Sequence, residues 1–145
     1  MSLTMSSADR MAFLAEVRVG LIAITRPERA PLAVPIWYDY EPGGDVLVMM
    51  GIGSLKDRLL REAGRFSLCV QQGEVPYKYV TAEGPVVAFE EGPSFERTAA
   101  IAARYLPREQ AERFVSQIPS EGQVIVRMRP EKWLSTDYSG VDLGG

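Results

Sequence analysis

Histidine is absent from the chain, and cysteine occurs once, at Cys69. The first absence removes Ser-His and Cys-His nucleophilic catalysis, imidazole metal ligands and the commonest general base. The second removes intrachain disulfides and multi-cysteine metal sites, and it points to a reducing, cytoplasmic setting. Chemistry is left to carboxylates, Lys, Arg, Tyr, the backbone or a borrowed cofactor. No apolar run approaches the roughly 18 residues that span a bilayer. The polar start "MSLTMSSADRM" lacks a signal-peptide core, so neither a membrane nor export is expected. Lys and Arg form no run, and the net charge is -3. Nucleic acid and anionic membranes are therefore not expected as partners.

What is present fits one globular domain over residues 1–145, with residues 1–10 read as a flexible lead-in. Hydrophobic residues make up 46% and charged residues 24%, enough for a real core. Ser7-Ala8-Asp9 offers capping residues for a helix through "RMAFLAEV". Strands are predicted over 17–25, over 32–40 with Pro35 marking an edge or bulge, and over 46–50. "EPGGD" (41–45) predicts a hairpin between the second and third. Further strands are predicted over 65–72 and 77–89, with a bulge at Gly84-Pro85, and over 123–139, where a seventh is possible. Helices are predicted over 54–64, from Ser94 and from Pro107. This succession is mainly β, a small antiparallel barrel decorated by short helices, and not the alternating pattern of a parallel sheet.

The segment "GIGSLKDRLL" (51–60) carries the chemistry. Gly51 and Gly53 allow a tight turn, and Ser54 can cap the helix or offer a hydroxyl. The free amides and dipole of the helix end favour an anion there, and Lys56 adds a full positive charge. The same parts also serve in ordinary strand-to-helix connections. Trp37 and Tyr38 follow a strand proline, and Met49-Met50 precede the glycines; soft Met side chains pack well on flat rings. Those side chains could equally fill the core.

The order "FLAEVRVGLIAIT", "VPIWY", the glycine-serine-lysine segment before "RLL", "FSLCVQ" and "YVTAEGPV" resembles the pyridoxamine 5'-phosphate oxidase-like flavin-binding split-barrel superfamily. Within it, the chain is similar to the actinobacterial branch that uses FMN or the deazaflavin coenzyme F-420. The likeness runs over about residues 11 to 139. It implies a six-stranded antiparallel split β-barrel that forms a homodimer with two cofactor sites along the interface. It implies that Met49, Met50, Gly51, Gly53, Ser54, Leu55, Lys56 and Arg58 lie along the cofactor, with Lys56 near its phosphate. Pro35, Ile36 and Trp37 would flank the ring, and Tyr77 and Tyr79 would reach it from the partner subunit. The implied activity is an oxidoreductase passing hydride to a small unsaturated organic substrate, with F-420 the first choice and FMN the second. A non-catalytic carrier of a flavin, deazaflavin or tetrapyrrole is the alternative.

The pattern also departs from the superfamily. Relatives usually carry further basic residues around the lysine, where this chain has the apolar Ile52 and Leu55. The histidine-containing substrate pattern of true pyridoxamine phosphate oxidases is missing, which excludes that activity. Cys69 is read as a buried, inert thiol. Tyr38 or Tyr79 is a possible proton source, and Glu90-Glu91 a solvated face. Trp133 is placed at the barrel mouth or the dimer seam.

Overall fold

A computed structural model describes residues 2–144, the side chain of Ser120 excepted. Helix α1 (Ser7–Ala15) begins where the Ser6 hydroxyl accepts the Asp9 amide, and it buries Phe13 and Leu14. The chain ahead of it is docked. The Leu3 carbonyl accepts the Asp137 amide at 2.8 Å, and the Met5 amide donates to the Ser135 hydroxyl at 3.1 Å.

The strands follow the alternation of apolar residues. Strand β1 (Gly20–Arg26) turns Ile22 and Ile24 inward, and it pairs antiparallel with the edge strand β2 (Arg29–Ile36). A two-residue strand β3 (Tyr38–Asp39) forms the expected hairpin with β4 (Val46–Gly51). Helix α2 (Leu55–Ala63) stops at Gly64, whose φ of 71° takes the left-handed conformation glycine allows. It buries Leu59 and Leu60 but leaves Leu55, in its first turn, exposed. Strands β5 (Arg65–Gln72) and β6 (Lys78–Glu91) are followed by helices α3 (Phe95–Ala102) and α4 (Arg108–Ser116). Pro107 stands one place before α4 and not inside it. The chain ends in β7 (Gln123–Met128) and β8 (Lys132–Asp137).

Hydrogen-bonded neighbours run β2-β1-β5-β6-β7-β4-β3, with β8 on the other side of β6. The first half of β6 pairs with β8 to Glu83 and with β5 to Pro85, and from Val86 it pairs with β7. The bend lies at Gly84, and the bulge falls between Val86 and Ala88. A Cβ at Gly84 would stand 1.8 Å from the Arg129 carbonyl oxygen. The crossing of β6 past the 129–131 turn therefore requires glycine. The two ends of the pairing path, β2 and β3, are one continuous chain interrupted only at Trp37, so the curled sheet returns on itself there. Eight strands arise from the expected stretches because 32–40 breaks at Trp37 and 123–139 breaks at Pro130. Glu90, expected on a solvated face, instead bonds Arg127 at 2.7 Å and Arg97 at 2.6 Å and so ties α3 to β7. The Arg127 bond holds its carboxyl below the usual range.

Candidate functional site

A cavity of about 340 Å³ lies between the sheet and the two helices α3 and α4. Its sheet side is made by Pro35, Ile36 and Trp37 from the end of β2, by Met49 from β4 and by Gln123 from β7. Ile101 and Ala102 of α3, Phe114 of α4 and Ile118 beyond it form a roof, and Val19 stands at the entrance to β1. Lys56 of α2 is the one charged side chain among the described lining residues.

Strand geometry decides which methionine reaches the cavity. Successive side chains on β4 face opposite ways, so Met49 lines the cavity while Met50 joins the barrel core with Val46 and Val48. The expectation that both methionines lie along a ligand is corrected for Met50.

Trp37 sits at the break between β2 and β3. Its ring stacks on Tyr105 (4.9 Å between centroids, planes 5° apart) and meets Phe114 at 5.6 Å. The backbone groups freed at the break are satisfied by the α3–α4 linker. The Tyr38 amide donates to the Tyr105 hydroxyl at 3.0 Å. The Tyr38 carbonyl accepts from Arg104, whose other nitrogen reaches the Ala15 carbonyl at 3.0 Å. Burial pushes the Tyr38 hydroxyl up to about 12, with Tyr105 adding to it, and burial also raises Tyr105. Tyr38 donates to the Leu14 carbonyl at 2.6 Å and is fully buried. It faces the core, not the cavity, which removes it as a proton source.

The loop into α2 is closed by its own side chains. The Ile52 amide donates to the Gly122 carbonyl at 2.8 Å, and Gly53 takes a φ of 80°. The Ser54 hydroxyl accepts the Asp57 amide at 3.3 Å. The Asp57 carboxylate, buried at 2% exposure, accepts the Gly53 amide and the Arg61 side chain, each at 2.8 Å. Arg61 continues to Glu91 at 2.9 Å. Asp57 therefore ties the loop ahead of the N-cap to the second turn of α2. The burial of Asp57 depends on Gly53 and Arg61 closing over it. Ser54 acts as a cap, Gly51 pairs with Gln123, and Leu55, Arg58 and Ile52 are exposed.

Tyr77 and Tyr79 do not line the cavity. Tyr79 points out of the sheet, in register with Gln71, and Tyr77 precedes β6 with 52% exposure. The same outer face carries a row of residues in register across five strands: Pro35, Leu21, Cys69, Thr81 and Leu134. A groove of about 290 Å³ on it shares Val19 and Pro35 with the cavity. Cys69, expected in the core, is half-buried on this face because Leu68 and Val70 take the inward positions. Trp133 packs edge-on to Tyr40 at 6.3 Å, with Arg10 over its ring at 4.9 Å.

The roof residues Ile101, Phe114 and Ile118 were missed in the sequence. The available signal was an excess of apolar side chains, since the core between α3 and α4 uses only Ala102, Ala111 and Val115 as buried members. Chemically, the cavity offers an apolar box, one cation and one amide. It can bind, orient and dry a ligand, but it holds no acid–base pair of its own. Among the described residues no cluster of carboxylates and thiols could hold a metal. No helix among them is long and apolar enough to cross a membrane.

This mainly β, antiparallel architecture with four short helices is the pyridoxamine 5'-phosphate oxidase-like split-barrel fold. The conserved hypothetical protein Rv2991 from Mycobacterium tuberculosis is similar at 23% identity and a TM-score of 0.78, over 99% of this chain and 95% of that one. An F-420 reductase is similar at 20% identity and a TM-score of 0.69, over 84% of this chain and 94% of that one. A FAD-binding protein from Mesorhizobium loti is similar at 23% identity and a TM-score of 0.62, over 91% and 94%. At these identities the likeness shows the fold. No family model matches the chain, and no curated protein matches it.

Proposed function

We propose that the chain is an oxidoreductase that holds coenzyme F-420, or alternatively FMN, and passes hydride to a small unsaturated organic substrate. The observation that carries this is the single cavity gathering Pro35, Ile36, Trp37, Met49 and Lys56. Its apolar walls suit a flat ring, and Lys56 suits one anionic group, so the residues present fit such a coenzyme. The fold shared with an F-420 reductase and a FAD-binding protein supports the same reading. The bound coenzyme would supply the hydride chemistry.

The chain's own part is binding and drying. Trp37 and Met49 pack on the ring, the helical roof excludes water, and Lys56 holds the anion. Gly51, Gly53, Ser54 and Leu55 shape the loop that presents Lys56, and Arg58 stands exposed on the same helix. Tyr38 being engaged in the core, any proton comes from water or from a partner's tyrosine. The apolar row on the outer sheet face, continuous with the cavity mouth through Val19 and Pro35, supports a second copy of the chain as its cover. Tyr77 and Tyr79 stand on or beside that face, where a homodimer would bring them to a neighbouring site.

Lys56→Ala should weaken coenzyme binding by about tenfold or more, as expected for a lost charged hydrogen bond, read by fluorescence titration with F-420 and with FMN. Unchanged affinity for both would show that the anion is held elsewhere. The second reading, a carrier without turnover, is favoured by one fact: Lys56 is the only ionisable side chain in the described lining. Reduced coenzyme that binds and stays reduced beside a panel of activated alkenes would support the carrier.

A further inference from the structure

We propose that Tyr105, which stands behind the cavity wall and does not line it, positions Trp37 for binding a flat aromatic ring. This rests on the reading of the cavity as a ring site. Trp37 is the one aromatic side chain on the sheet side of the described lining. The sheet does not fix its plane. Ile36 pairs with Gly20 and Tyr38 with Val48, whereas Trp37 between them has no strand partner among the described residues. A side chain at such a break is not oriented by the pleat. What backs the indole is Tyr105, whose ring lies 4.9 Å away between centroids and within 5° of parallel. Phe114 meets the indole at a tilt of 48° and does not prolong the stack. Tyr105 is in turn anchored through its hydroxyl. That oxygen accepts the Tyr38 amide at 3.0 Å and lies 2.8 Å from the Arg18 carbonyl and 3.0 Å from the Tyr38 carbonyl. Its single proton goes to one of these carbonyls at a time. Arg18 and Tyr38 adjoin two lining residues, Val19 and Trp37. One hydroxyl therefore ties two edges of the cavity to the ring that backs the indole. An indole free to turn must be ordered when a flat ligand arrives, whereas a backed indole offers its other face already set.

The test asks whether Tyr105 acts through Trp37. Riboflavin and F-420 are titrated by fluorescence against the unaltered chain, Tyr105→Leu, Trp37→Leu and the double variant, with folding checked by circular dichroism. Tyr105→Leu should weaken both ligands by about tenfold when Trp37 is present. Once Trp37 is replaced, the same change should cost less than about twofold. Tyr105→Phe keeps the stack, loses the hydroxyl and should weaken both ligands by about threefold. Equal losses with and without Trp37 would make Tyr105 merely structural and overturn the proposal, as would full affinity in Tyr105→Leu. Should the unaltered chain bind neither riboflavin nor F-420, the ring site itself falls, and the positioning role with it. A measurement without ligand keeps the two failures apart. The chain has two tryptophans, and NMR reads the indole N–H of each. Tyr105→Phe should shift or broaden the Trp37 signal and leave that of Trp133 in place. An unmoved Trp37 signal overturns the proposal whether or not a ring binds, and it decides the matter even if Tyr105→Leu does not fold.

Discussion

In the barrel, Ile22, Val48, Leu68 and Val126 have no exposed surface, and β1, β4, β5, β6 and β7 are each paired along both edges. In the roof of the cavity, α3 and α4 bury only Ala102, Ala111 and Val115 against each other, with Trp37 as the aromatic plug. What holds the roof down is mostly polar: Tyr105 and Arg104 bonding the backbone of Tyr38 and the Ala15 carbonyl. The barrel is stabilised by area and the roof by a few directed bonds. Area resists local opening, whereas a handful of bonds gives way one by one. A ligand enclosed by both meets one rigid wall and one wall that can yield.

The hardest blow to the barrel side is Gly84→Ala. Its Cβ meets a backbone carbonyl rather than a pliable side chain, so we expect a loss of about 3 kcal/mol or more, or no folded protein. Thermal and urea melts read it, and a change under about 1 kcal/mol would mean that the bend of β6 does not depend on glycine.

The joint between barrel and roof is Tyr38. Its folded pKa of about 12 stands above the ordinary value of 10. The stabilisation is therefore complete below about pH 10 and is lost as pH rises towards about 12, an amount on the order of 2 kcal/mol. Tyr38→Phe should flatten that alkaline loss in part, Tyr40 and Tyr105 also being raised by burial. At neutral pH it should cost about 1 kcal/mol for the bond to Leu14. An unchanged alkaline profile would show that the hydroxyl is free to ionise.

The smallest effect is expected at Tyr105→Phe. Leaving the Tyr38 amide without its acceptor costs about 1 kcal/mol. Hydrogen exchange should quicken in α3 and α4 while β5 and β6 keep their protection. Equal quickening in both regions would erase the distinction between wall and roof.

The sequence carried the barrel side better than the roof. Alternating runs such as "FSLCV" and "VLVMM" encode strands directly, and the capping Ser54 and the stop at Gly64 encode α2. The break at Trp37 was not legible, because it depends on Arg104 and Tyr105 arriving from residues far along the chain. The Asp57 closure was not read from "GSLKD" either, although its partners Gly53 and Arg61 lie only four residues to each side. Met49 and Met50 show the limit at its smallest. Both belong beside the cavity by position, and only the pleat decides which one enters it.

The pairing of β4 with β7 joins Gly51 to Gln123 across about half of the chain. The β1–β2 and β5–β6 hairpins close over short turns, whereas β7 finds β4 only after the helical excursion from 92 to 122 has been made. Closing so long a loop is the entropically slow event in folding. Met49 and Gln123 stand on the same wall of the cavity, on neighbouring strands that pair only when that closure is complete, so the cavity depends on the slowest closure in the sheet. A ligand that occupies it then acts chiefly as a brake on unfolding, by holding together the contact that forms last.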